Sequence, residues 1–552
     1  GDDDEAQAPA GTTTAPQAAA TSAPAQPQSG GTLRQPLVGI SSGDPPTLYP
    51  YENLTYLAQI PGAFHYSRLL RSVSGADVAP EDHTKLEGDT AAKLPEQPDE
   101  VTYIFKLKPN VAFHDKPPIS GRKATAQDWV QNWEAFRTKS QNAASFTGVL
   151  AKVEAPDAET VTFTLKEPFA PFLVTHMSTT EGIWLIAPET IESGQVQTDP
   201  VGTGPWIFRQ WEKGVAIRWD RNPKWHDGPA PYFAKTEQSL NNDPQRILAA
   251  LQTGDLDVSG LNGPTFEEAK KKLDPKGQDT FFQNQVQGGF YFNFDVRPWG
   301  DKRVRQALSM ALDRDGYLQV QDLTRKGDWM SHLSPAMAPY YMSPKNAKQE
   351  FGPNAKYYEK NVAEAKALLA AAGFPDGITF KLRANVDRYG AEAKQAWELF
   401  ANTISEAGFK AELVYEEYGA YIQSTFLGKI SEGAAVGPFI GAPRDPDDIF
   451  MRLYWSESPR HNWGGTPISE MPQIDAMFVK QRKQLDLQER IKEIQEIQRV
   501  MAESMLVVPY HGSAGYSYNQ PYLQNYWWKN GYGYPTESSA KAWFTEERIK
   551  KG

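Results

Sequence analysis

Residues 199–233 read DPVGTGPWIFRQWEKGVAIRWDRNPKWHDGPAPYF, and residues 244–258 read PQRILAALQTGDLDV. Gly202-Thr203-Gly204-Pro205 offers two residues free to take positive φ and one with φ fixed, so the chain must bend there. Trp206, Ile207 and Phe208 begin a strand, and Glu212-Lys213-Gly214 breaks it. Ala216 to Trp219 resume the pattern, which reads as a hairpin around a glycine turn. Asn222-Pro223 ends the second strand, because proline brings no backbone donor. Asp243 caps a helix with Pro244 in its first position. Ile247, Leu248 and Leu251 give that helix an apolar face, and Gly254 stops it.

Working outward, 552 residues exceed what one hydrophobic core fills, so about two or three domains are expected. The formal net charge of −11 argues against nucleic acid as a partner, since phosphate binding needs concentrated Lys and Arg. No apolar run reaches membrane-spanning length. Cysteine is absent, which removes disulfides, thiolate nucleophiles and cysteine zinc sites. The 8 histidines form no HxxxH or HxH pair, and no cofactor or metal is expected. The 15 Trp and 24 Tyr supply flat rings with a polar handle, useful in ligand pockets and equally useful in a core.

Residues 1–31 are a low-complexity tract of Ala, Pro, Thr, Gln and Ser behind Asp2-Asp3-Asp4-Glu5. Such a tract cannot bury a core and reads as a disordered tether. The simplest expectation is a mature exported form, lipid-anchored through a residue preceding Gly1 as in bacterial lipoproteins.

Farther along, residues 105–133 read FKLKPNVAFHDKPPISGRKATAQDWVQNW: a strand, a turn, then a helix capped by Thr125 with Trp129, Val130 and Trp133 on one face. Phe292-Asn293-Phe294 leads through Arg297-Pro298-Trp299 to a helix with Asp301 as cap and Val304, Ala307, Leu308 and Ala311 at helical spacing. Residues 378–382, 396–407 and 411–415 read as βαβ, with Gly408 stopping the helix. Asp486 and Glu489 open the helix from Leu487 to Met501, with Ile491, Ile494 and Ile497 inward. Residues 37–40 and 505–508 read as further buried strands.

These motifs, in this order, resemble the solute-binding proteins of ABC importers, family 5, the dipeptide, oligopeptide and nickel class. Lys116 stands where the family's FHDG has glycine. The resemblance covers nearly all of the chain after residue 31. It implies an α/β, two-lobed periplasmic-binding-protein-like fold of type II, in the large cluster with an extra inserted subdomain, closing by a hinge between lobes. The implied division is lobe I from 32–71, 188–282 and 510–552; an inserted subdomain from 72–187; and lobe II from 283–509.

The resemblance also places the ligand between two backbone edges, one at Gly43, Asp44, Pro45, Pro46 and Thr47, the other at Gly437, Pro438, Phe439, Ile440, Gly441 and Ala442. Extended ligands add to such edges as a strand. Peptide-binding members hold the ligand's ammonium with an acid just before a DPD motif. Here DPDD is Asp445 to Asp448, the acid position falls on Ala442, and the preceding aromatic position on Phe439. An unpaired buried charge costs several kcal/mol, so the usual ammonium anchor is missing, and Asp44, Arg444 or Asp445 stand in as alternatives. The arginine that pairs a peptide carboxylate falls at Arg388, and Tyr418 matches an aromatic wall.

The expected function is extracytoplasmic capture of a peptide or small oligosaccharide and delivery to ABC permease subunits, by a monomer without enzymatic activity. The rival reading is a secreted glycoside hydrolase, which needs two carboxylates at a defined separation. A GxSxG motif at residues 39–43 follows a strand, yet Pro45, Pro46 and Pro50 deny it the helix that a nucleophile elbow requires.

Overall fold

The computed structural model describes residues 26–37, 43–241, 243–261, 263–440, 443–458, 465–530 and 535–551. Most of the tether, the strand expected at 37–40 past its first residue, and the serine of the GxSxG motif lie outside them.

The opening block folds as its turn residues dictate. Trp206–Glu212 pairs antiparallel with Ala216–Arg221, which pairs with Lys235–Ser239, and parallel strand Thr32–Pro36 completes a four-stranded sheet. The Asp243 carboxylate accepts from the amides of Gln245 and Arg246, and helix Pro244–Thr253 ends on Gly254 at φ 78°. One expectation changes. Neither Gly202 nor Gly204 takes positive φ; each is needed for close approach, because a Cβ on Gly202 would lie 2.0 Å from the His65 carbonyl oxygen.

Separate hydrophobic cores account for the architecture. One runs from Leu33 to Phe544 around the four-stranded sheet. A second, from Tyr49 to Val201, packs helix Ala126–Lys139 on the antiparallel strands Thr102–Lys106, Thr160–Leu165 and Leu150–Asp157. Thr125 and Asp128 form a reciprocal capping box there. The third, from Phe290 to Tyr510, surrounds a five-stranded mixed sheet. Its strands run in the order Phe409–Tyr415, Ile378–Ala384, Ala434–Ile440, Gln287–Tyr291 and Val508–Pro509. The first two are parallel, joined by helix Gly390–Ser405 as a βαβ unit. The strand expected at 505–508 is shorter: Met505 takes a left-handed conformation (φ 43°) to close helix Leu487–Ser504, and pairing begins only at Val508.

Two chain segments cross side by side between the cores. Gln278–Gln283 pairs with Ala514–Asn519 on one side of the crossing, and Gln287–Tyr291 pairs with Val508–Pro509 on the other. Between them the Asn284 amide donates to the Ser513 carbonyl at 3.1 Å, and the Asn284 side chain donates to the Ser513 hydroxyl at 2.8 Å. No helix among the described residues is long and apolar enough to cross a membrane.

Candidate functional site

Beside the crossing strands lies a cavity of about 460 Å³, bounded by Asn284, Met330, Tyr389, Trp397, Phe400 and residues 510–513. Its position follows from the βαβ unit. Adjacent parallel strands Ile378–Ala384 and Phe409–Tyr415 end on the same edge, and the loops after them are laced together. The Asp387 carboxylate accepts from the amides of Tyr418 (3.0 Å) and Arg388 (2.9 Å), and these bonds hold its pKa below the usual carboxylate range. Asn385 ties the same loop to the Glu416 carbonyl at 3.0 Å. The rings of Tyr389 and Tyr418 consequently meet edge to face, 6.2 Å apart. Arg388 stands exposed beside them, and its guanidinium makes no hydrogen bond among the described residues.

Deeper in, Phe400 stacks on Tyr510 at 5.4 Å, and the Trp397 indole donates to the Asn385 carbonyl at 3.2 Å. His511 is 7 % exposed, and its Nδ1 has no partner among the described residues. Burial pushes it down to about 4, so it is neutral at pH 7. Sequence reasoning reached Arg388 and Tyr418 but missed Tyr389, Trp397, Tyr510 and His511. Trp397 lies about one turn before Phe400 on the helix of the βαβ unit, so periodicity alone places it on the same face; Tyr510 and His511 carry no local signal.

The other expected residues lie elsewhere. Gly43 donates to the Leu240 carbonyl at 3.0 Å. Asp44 accepts from the Trp211 indole (2.7 Å) and the Gly214 amide (2.9 Å), pinning the hairpin turn of the four-stranded sheet, with Pro45 buried next to it. Gly441 and Ala442, and the side chains of Phe439 and Ile440, lie outside the described residues. The strand that leads to them is described. Gly437 (φ 152°) faces Gly289, and Pro438 faces Gly288. On its other flank, the ladder to Ile378–Ala384 holds, among the described residues, only Ala434 and Ala435. The strand's later backbone therefore has an open side toward the laced loops.

Arg444 lines a second cavity, of about 680 Å³, between residues 142–181 and residues 444–482, with Asp447 and Asp448; Asp445 stands behind them. Asp445 is 1 % exposed, caps helix Pro446–Ile449 and pairs with Arg490 at 2.6 Å. Arg444 reaches across to the Thr180 hydroxyl at 3.3 Å. Asp447 accepts from Gln481 (2.8 Å) and Arg482 (3.1 Å). Burial raises its pKa to about 6, with Arg482 opposing and Asp445 reinforcing. A carboxyl with a higher pKa folded than unfolded takes up a proton on folding, so it adds stability as pH falls from 7 through 6. Between pH 7.5 and 5 this one group is expected to add about 1 kcal/mol. Asp447→Asn removes that increment; equal pH slopes for the two proteins in urea titrations would refute the assignment.

Asp89, His226 and Asp227 cluster closely enough to hold an ion. Arg71 and Lys108 already occupy that place, Arg71 lying 2.6 Å from Asp227 and 3.5 Å from Asp89, and Lys108 2.5 Å from Asp227. It is an ion-pair knot between the flank of the four-stranded sheet and the Tyr49–Val201 core.

Comparison with known proteins gives the family and the fold. The model of bacterial extracellular solute-binding proteins, family 5, matches residues 85–458. The chain is 23 % identical over 483 residues to the probable D,D-dipeptide-binding periplasmic protein of Escherichia coli, covering 85 % of this chain and 86 % of that protein. The structure of HbpA2 from Haemophilus parasuis superposes with a TM-score of 0.77 at 21 % identity, over 93 % of this chain and all of that one. The ABC transporter-associated periplasmic binding protein DppA from Helicobacter pylori, in complex with the peptide STSA, gives 0.68 at 20 % identity, over 94 % and 98 % of the two chains.

Proposed function

The chain belongs to the bacterial extracellular solute-binding proteins of family 5, a family of binding proteins rather than enzymes, and on that premise we propose that it captures a short peptide between its lobes for delivery to an ABC permease. It acts outside the cytoplasmic membrane, as a monomer, with the crossing segments at Asn284 and Ser513 as hinge. One observation carries the choice of peptide: among the described residues, strand Ala434–Ile440 keeps an open backbone side beyond Ala435, next to the laced loops. An extended peptide adds to such an edge through its own main chain, which a sugar cannot do. Exposed Arg388 suits the ligand's carboxylate, and Tyr389 and Tyr418 wall the space beside it. The volume of about 460 Å³ falls within the range of small-ligand sites.

A melting screen of two- to five-residue peptides against oligosaccharides of similar mass tests this. A peptide at about a hundred times its Kd adds about 2.7 kcal/mol and raises Tm by several degrees. In the Arg388→Ala and Tyr389→Ala variants the best peptide is expected to bind about tenfold more weakly, a loss of about 1.4 kcal/mol. Shifts by oligosaccharides alone would turn the reading to sugars, and shifts by neither class would remove it.

A further inference from the structure

Among the described residues, the Tyr49–Val201 core and the second lobe share no hydrophobic cluster, yet they touch along a seam. The Ala170 amide donates to the Arg482 carbonyl at 2.7 Å. Lys483 pairs with Glu167 at 2.8 Å. The Arg482 guanidinium stands 5.1 Å from the centre of the Phe169 ring, and Arg444 meets Thr180. The cavity of about 680 Å³ lies immediately behind these contacts. The seam is polar and small. An exposed ion pair shifts a two-state balance by only a few-fold, so contacts of this kind break and reform readily.

Arg482 links the seam to the candidate ligand strand. Its guanidinium holds Asp447, 3.1 Å away, in the short helix Pro446–Ile449. That helix is capped by Asp445 and follows Ala434–Ile440, the strand with the open backbone side. Arg482 thus touches the inserted subdomain with its backbone and ring-facing plane, and the short helix that follows the ligand strand with its charge.

We propose that this seam is a closure latch: residues 167–170 of the inserted subdomain hold the second lobe in the closed position, and Arg482 is the positioning residue that ties the latch to the ligand strand. The proposal rests on the reading of a two-lobed protein that closes on its ligand. Latch contacts exist only when the lobes are together, so they shift the open–closed balance before any ligand binds and slow its escape afterwards. Their weakness is functional, because a latch worth orders of magnitude would keep the site shut.

The native chain lacks cysteine, so spin labels at Lys152→Cys and Lys480→Cys report one distance between the two bodies by double electron–electron resonance. Both side chains are exposed, 61 % and 72 %. The ligand-free chain is expected to show a short-distance population. Glu167→Lys is expected to lower its share about threefold by setting two cations together, and Glu167→Lys with Lys483→Glu to restore it. Arg482→Gln is expected to lower the share as well, with Arg482→Lys recovering part of it. Identical distance distributions in the parent and in Glu167→Lys would overturn the latch. Glu167 and Lys483 are surface residues, so those variants carry the test even where Arg482 variants fail to fold. No ligand is used, so failure of the peptide reading shows in the melting screen and leaves this result separate.

Discussion

Arg490→Met is expected to destabilise the second lobe by about 3–5 kcal/mol, the cost of leaving a buried charge without its partner. Arg490 lies in helix Leu487–Ser504 and is 3 % exposed. Its guanidinium donates to both Asp445 oxygens at 2.6 and 2.8 Å, to the Gln481 side chain at 2.9 Å and to the Tyr340 hydroxyl at 3.0 Å. Burial works against its charge, but the pull of Asp445 outweighs it and holds the group firmly protonated. Methionine fills similar volume and removes every one of these donors. Among the described residues, the Asp445 carboxylate then keeps the Asp447 amide, at 2.8 Å, and no cation. Asp445→Asn combined with Arg490→Met is expected to recover most of the loss, since no buried charge is left behind. Urea titration of the three proteins measures this. A single-variant loss below about 1 kcal/mol would show that the pair contributes nothing the surrounding packing cannot replace.

That pair also explains which parts of the site the sequence discloses. Asp445 is a recognisable helix cap from its neighbour Pro446 alone, because capping is a local event. Its commitment to Arg490, 45 positions away, has no local signature. Asp44 is the same case, its partner Trp211 lying 167 positions along the chain. Both carboxylates look available for a ligand in the sequence, and both are engaged in holding an element in place. Arg388 and Tyr418 fare differently. They follow consecutive strands of a βαβ unit, and such strands lie parallel with their ends on one edge, so their meeting is implied by the periodicity itself. Tyr510 and His511 enter the neighbouring cavity from the returning segment, and nothing in residues 505–512 distinguishes a cavity wall from an ordinary buried strand.

Gly202 gives the same lesson inside the stretch that decides the fold, and it carries the second large effect. Gly202→Ala is expected to cost about 3 kcal/mol, at the upper end of overpacking losses. The new Cβ would stand 2.0 Å from the His65 carbonyl oxygen and 2.5 Å from Tyr66 Cδ1. Neither can yield. His65 is fully buried, its ring accepts from the Trp219 indole at 3.1 Å, and its carbonyl takes the Gly204 amide at 3.0 Å. On the other side the Gly202 carbonyl accepts from the His114 amide at 2.8 Å, and the Gly204 carbonyl meets the His114 ring and the Asn222 side chain at 2.9 Å. The turn is thus wedged between helix Tyr56–His65 and the Tyr49–Val201 core, and a methyl group forces the two apart. Gly214 supplies the contrast. It sits at φ 73°, and a methyl group added there would meet nothing within 4 Å, so alanine brings backbone strain alone, about 1 kcal/mol. Thermal unfolding of the two variants side by side separates close approach from left-handed conformation. If Gly214→Ala proved the more damaging, small shifts around residue 202 would relieve the close approach, and the wedge would carry no weight in the fold.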